Sequence, residues 1–136
     1  MTKSDIIISW PQHLDYPLWR QFIHSNRDKF AKVIVVFTQM NAGKDYRPWL
    51  QEQFNKDGII SITNDQVLAH EDWRNVAVNK GLELSDARWV WFTEQDFFPR
   101  GDLWTVADSL SEAFNVFGYF QEDRLHPCCI FIKRTL

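Results

Sequence analysis

Hydrophobic and polar positions alternate along this chain in blocks that switch between two periods. Ile6-Ile7-Ile8-Ser9-Trp10 is a short apolar run stopped by Pro11, which reads as a first strand. Asp15-Tyr16-Pro17 reads as a helix start, with Asp15 as cap and Pro17 in the first turn, and Leu18, Phe22 and Ile23 give that helix an apolar face. Lys32-Val33-Ile34-Val35-Val36-Phe37 is the clearest strand. It is β-branched and uninterrupted, as expected of a strand buried on both faces in a mainly parallel sheet. A polar loop over residues 38–44, a short helix over 48–54, the turn Asp57-Gly58 and the strand Ile59-Ile60-Ser61-Ile62 follow.

A helical period from about Glu71 puts Trp73, Val76, Ala77 and Leu84 on one side, and the strand Trp89-Val90-Trp91-Phe92 comes next. Asp102 caps a helix whose Leu103, Val106, Ala107, Leu110 and Phe114 fit the helical period. Two last strands, 116–120 and 128–132, are joined by a polar stretch over 121–127. Strands alternating with helices predict βαβ units, hence an α/β fold layered αβα around one mostly parallel sheet. No internal repeat, low-complexity tract or interior linker interrupts the pattern, and 136 residues suit a single domain spanning 1–136.

Composition narrows the class. Hydrophobic residues make up 45%, enough for a folded core. Seven Trp and eleven Phe are many for this length; most belong in the core, and the surplus leaves rings for stacking on a sugar or base. A net charge of −3 without a long basic run argues against a nucleic-acid surface, though not against a nucleotide as a small ligand. The two cysteines, Cys128 and Cys129, are adjacent; disulfide geometry disfavours their pairing, and no spacing resembles a zinc site. No signal-peptide region or membrane span is legible. These features set the expectation of a soluble, cytoplasmic protein.

The candidate chemistry sits where the run Trp89-Val90-Trp91-Phe92 meets Thr93-Glu94-Gln95-Asp96. In an extended chain positions i and i+2 share a side, so Glu94 and Asp96 can face one ligand at the end of a buried strand, where open α/β sheets bind ligands. Two hard oxygen ligands suit Mg²⁺ or Mn²⁺ carrying a phosphate. Acidic residues also simply terminate strands, and on these residues alone that reading stands beside the metal one.

The order strand, helix, Ala77-x-Asn79-x-Gly81, buried strand, Glu94-x-Asp96, Pro99 and an amphipathic helix (Leu103, Val106, Leu110) resembles the nucleotide-sugar half of GT-A glycosyltransferases, the family 2 type in particular. The opening strand ending in Pro11 is similar to the family's as well. The resemblance implies a Rossmann-like fold binding a nucleotide-diphospho sugar through Glu94, Asp96, Asn79 and Pro11. It also implies Mn²⁺ or Mg²⁺ on Asp96 and Glu94 and transfer of a hexosyl group to a hydroxyl acceptor on a glycan or lipid; His126, before Pro127 on the loop entering the last strand, reads either as a third metal ligand of the family's kind or as a solvent-facing loop histidine.

Three departures stand out. Glu94 replaces the first Asp of Asp-x-Asp. Phe37-Thr38-Gln39 stands where the family has a base-holding Asp, leaving Asn41, Asp45 and Asn64-Asp65 as substitutes. The chain ends before the acceptor-side segment that carries the family's catalytic base, and Glu122-Asp123 lies too early to be that base. The alternative is therefore a non-catalytic or partner-dependent nucleotide- or carbohydrate-binding module. An unfinished sheet also leaves room for a second chain in a homo-oligomer. Arg74 and Lys80, on the helix before the site, read either as a solvated face or as approaching phosphate.

Overall fold

The computed structural model describes residues 3–10, 16–37, 45–64, 72–97 and 102–134. Pro11, Asp15, Thr38, Gln39, Asn41, Asp65, Glu71 and Pro99, which entered the sequence reading, lie outside them. Among the described residues, six strands and four helices follow the order β1 (Ser4–Ser9), α1 (Tyr16–Ser25), β2 (Phe30–Phe37), α2 (Arg47–Lys56), β3 (Ile60–Thr63), α3 (Asp72–Leu84), β4 (Trp89–Glu94), α4 (Leu103–Ala113), β5 (Val116–Gln121) and β6 (Arg124–Lys133). The strands form one sheet in the order β3-β2-β1-β4-β6-β5. The first four are parallel, while β6 runs antiparallel to β4 and β5 antiparallel to β6. A parallel sheet with central strands apolar on both faces is what the uninterrupted Ile and Val runs predict.

Alternation sorts each strand between two layers. On one face Ile6, Ile8, Val33, Val35, Trp91 and Phe131 pack under α1, α2 and α4. On the other, Ile7, Ile34, Val36, Val90 and Phe92 pack against Ala77, Val78 and Leu82 of α3. The α3 face differs from the expected one: Leu84 is exposed, and Val78 and Leu82 take its place in the core. Gly81 explains why α3 lies so close to the sheet. A Cβ there would sit 2.7 and 2.8 Å from Cδ1 and Cγ1 of Ile7 on β1. Gly81→Ala gains helix propensity of about 1 kcal/mol but must force that wedge apart, and overpacking costs about 1–3 kcal/mol. The expected outcome is a net loss of stability, read as a lower denaturant midpoint.

The polar stretch before the last strand is shorter than its composition suggests. Gln121 pairs with Arg124, leaving Glu122 and Asp123 as a two-residue hairpin turn with φ of 51° and 63°. Positive φ at both positions marks the mirror-image turn whose twist suits a hairpin, and that turn favours Gly, Asn or Asp. Glu122 gives no such signal, so the strand start at Arg124 is not legible from the sequence. Among the described residues no helix is long and apolar enough to cross a membrane.

Candidate functional site

β4 is the inner parallel strand bordered by β1 on one side and the antiparallel β6 on the other, and its last residue is Glu94. Beyond it the chain turns instead of continuing extended. Phe97 N–H donates to the Glu94 carbonyl at 3.1 Å, and Gln95 N–H donates to the Ser9 carbonyl at 3.1 Å. The Trp19 indole N–H of α1 donates to the Gln95 carbonyl at 2.5 Å. The turn is thus tied to β1 and α1, and Asp96 projects from it into solvent. The i, i+2 relation expected of an extended chain does not place Glu94 and Asp96; the turn does.

The two carboxylates meet different surroundings. Glu94 is half-buried, and its Oε1 accepts from the Arg74 Nε of α3 at 2.5 Å. Asp96 has no hydrogen-bond or ion-pair partner among the described residues. Arg74 therefore fixes the first carboxylate from the helix facing the sheet, while the second stays open. Nothing in the sequence assigned Arg74 to Glu94, because a contact 20 residues apart depends on how α3 crosses β4. Asn79 lies five residues further along α3, about 7.5 Å of helical rise from Arg74, and is exposed. Pro11 is outside the described residues.

The antiparallel β6 supplies the other wall. Thr93 Oγ1 donates to the Cys128 carbonyl at 2.7 Å. The Cys128 N–H donates to His126 Nδ1 at 3.3 Å, and the His126 ring meets the Tyr119 ring edge-on at 6.0 Å. His126 is thus held by its own strand and by β5. Among the described residues no three His, Cys, Asp or Glu side chains form a metal-binding group, so Glu94, Asp96 and His126 are not gathered into one ligand set. The carboxylates still suit a hard cation: an open Asp96 and the second oxygen of Glu94 match the one or two protein ligands that Mg²⁺ or Mn²⁺ takes when it arrives with phosphates.

Burial first, then the neighbouring Cys129, Glu94 and Asp96, push the Cys128 thiol up to about 11 from an ordinary 9.0. At pH 8 its thiolate fraction is then roughly a hundredfold below that of an ordinary thiol. Alkylation by iodoacetamide should be slowed about tenfold or more, since the more basic thiolate is a better nucleophile and offsets part of that loss, and its rate should keep rising with pH past 9. Reaction at the pace of free cysteine would contradict this placement.

Of the substitutes for the missing base-holding Asp, Asp45 is committed elsewhere. Its carboxylate is bidentate with Arg47 at 2.9 and 3.0 Å, and that guanidinium holds it below the usual carboxylate range. Asn64 is buried at the end of β3, where its N–H donates to the Phe37 carbonyl at 2.8 Å. It stands at the same sheet end as the acidic turn. Asn41 and Asp65 are outside the described residues. Glu122 and Asp123 occupy the exposed hairpin turn.

A polar turn with two carboxylates at the end of a central parallel strand invites comparison with known structures. A mannosyltransferase from Pyrobaculum calidifontis, solved in complex with GDP-Man and Mn²⁺, superposes with a TM-score of 0.60 at 17% identity. The fold is of the glycosyltransferase type. The match covers 98% of this chain and 45% of the mannosyltransferase, so this chain spans less than half that enzyme's length. No protein-family model matches the sequence, and no curated protein matches it.

Proposed function

We propose that this chain is a family 2-like GT-A domain that binds a nucleotide-diphospho sugar at the end of β4 and transfers the sugar to a hydroxyl acceptor. The observation that carries this reading is the pair of carboxylates on one tight turn, Glu94 locked by Arg74 and Asp96 left open, in a fold of the glycosyltransferase type. The neighbour's complex with GDP-Man and Mn²⁺ supports a nucleotide-sugar donor and a divalent metal for this chain as well.

Asp96 would hold Mn²⁺ or Mg²⁺ directly, and Glu94 would reach the metal or the ribose with its free oxygen. When bound, the ion supplies positive charge against the charge that develops on the leaving nucleoside diphosphate. Arg74 keeps the Glu94 side chain in one orientation. The turn, tied to β1 by the Gln95 N–H and to Trp19 by the Gln95 carbonyl, fixes the backbone that carries Asp96. Acceptor activation calls for a carboxylate or another base near the attacking hydroxyl.

The test is release of nucleoside diphosphate from GDP-mannose and UDP-glucose with Mn²⁺. Metal-dependent release that falls about 10²–10³-fold in Asp96→Ala supports transfer chemistry, since loss of one transition-state charge partner typically costs that much. Metal-dependent nucleotide binding without release would support the non-catalytic alternative instead. Release indifferent to Asp96→Ala would remove the site.

A further inference from the structure

An open groove of about 660 Å³ lies between α1 and the α2–β3 turn, a volume in the range of small-molecule sites. Its lining includes Arg20, His24 and Arg27, spaced four and three residues apart so that they share one side of α1 and the short 3₁₀ turn Arg27–Lys29 that continues it. Among the described lining residues Asp57 is the one carboxylate, and it is already engaged: Arg20 Nε lies 3.2 Å from Oδ2, and the Tyr16 hydroxyl donates to the same oxygen at 2.7 Å. Arg27 has no hydrogen bond or ion pair among the described residues, and its guanidinium lies against Gly58 in the opposite wall, where a Cβ would approach Nη2 at 3.2 Å. Among the described lining residues two arginines thus face one carboxylate, a surplus of one positive charge on a chain whose net charge is −3.

The pull of a helix C-terminus on cations accounts for His24 in the last turn of α1, since that effect fades within one turn. It does not account for Arg20 in the middle of the helix or for Arg27 beyond its end. Arg20 lines the groove from the middle of α1 and Arg27 from the 3₁₀ turn beyond it, with Arg20 held at Asp57 and the Arg27 guanidinium against Gly58, so an anionic group in the groove can meet both along that wall. A guanidinium fork matches phosphate oxygens in pairs. Gln21 adds a neutral donor and acceptor on the same lining for the polar body of the ligand.

We propose that this groove binds a small phosphate-bearing ligand, at a site separate from the acidic turn. Asp57 and Ile59 precede β3 at the opposite end of the sheet from Glu94, which closes β4. The inference does not rest on the nucleotide-sugar reading and survives its failure.

The experiment is backbone amide NMR on the full chain, titrated with inorganic phosphate and glycerol 3-phosphate against chloride at equal ionic strength. A parallel arm measures co-sedimentation with phosphatidylglycerol and phosphatidylcholine vesicles. The expected result is saturable shifts confined to α1 and residues 57–59. Affinity should fall tenfold or more in the Arg20→Gln/Arg27→Gln double variant and stay unchanged in Asp96→Ala. Both arginines are exposed, so the double variant should keep its fold, and its far-UV spectrum checks that. Saturation by the solutes without vesicle binding supports a soluble ligand, and capture by phosphatidylglycerol vesicles alone supports a headgroup. No groove-localised response to any probe, or a response that persists in the double variant, overturns the proposal.

Discussion

Trp91→Ala should remove about 3–5 kcal/mol of stability, the range for truncating a fully buried large aromatic. Trp91 is fully buried at the centre of β4, directly upstream of the acidic turn. Its ring stacks on Phe131 of β6 at 5.6 Å with planes 5° apart and meets Trp104 of α4 edge-on at 5.8 Å. Phe22 and Trp19 of α1 close the other side at 5.9 and 6.4 Å. One side chain thus joins two helices and two strands, and no neighbour can collapse into the space without breaking another ring contact. Chemical denaturation should show a much lower midpoint with little change in slope. Trp91→Phe, which keeps an aromatic surface, should lose markedly less. A loss below about 1 kcal/mol for Trp91→Ala would mean that the cluster is not packed as described.

Asp5→Ala should cost about 2–4 kcal/mol, because it removes the acceptor of two buried hydrogen bonds and strands their donors. Asp5 is fully buried at the start of β1. Its Oδ1 accepts from the Lys32 backbone N–H of β2 at 2.9 Å, and its Oδ2 accepts from the Ser85 hydroxyl after α3 at 2.7 Å. The carboxylate therefore joins two strands and the α3–β4 connection at the sheet end opposite the acidic turn. Asp5→Asn keeps one acceptor and should recover part of the loss. Nucleotide binding by the folded fraction should be unchanged in both variants, since neither touches the site. Wild-type stability in Asp5→Ala would show that the buried carboxylate does not hold this end together.

Asp5 also shows where the sequence stopped being informative. A polar residue just before Ile6-Ile7-Ile8 reads as the edge of a strand, yet it is as buried as the isoleucines because donors from two other segments converge on it. The six strands and four helices were legible because local patterns carry them: β-branched runs for β1 and β2, helical spacing for α4, and Asp102 as a cap that does accept from Thr105 N–H at 3.0 Å. Long-range contacts were not legible. The Arg74–Glu94 pair depends on the crossing of α3 over β4, and the placement of Asp96 depends on a turn fastened by Ser9 and Trp19. Gly81 belonged to the recognised pattern, but only the structure shows that its place is set by Ile7. His126 carried no signal that its ring nitrogen would be used by Cys128 two residues away.

The central claim is that Asp96 and Glu94 receive the metal-bound diphosphate of a nucleotide sugar. Titration calorimetry with UDP and GDP, with and without Mn²⁺, on the wild type and Asp96→Ala tests it most directly. Mn²⁺-dependent binding of at least one nucleotide to the wild type is expected, weakened a hundredfold or more in Asp96→Ala, about 2.7 kcal/mol. Absence of binding by either nucleotide in the folded wild type, or binding that Asp96→Ala leaves intact, would contradict it.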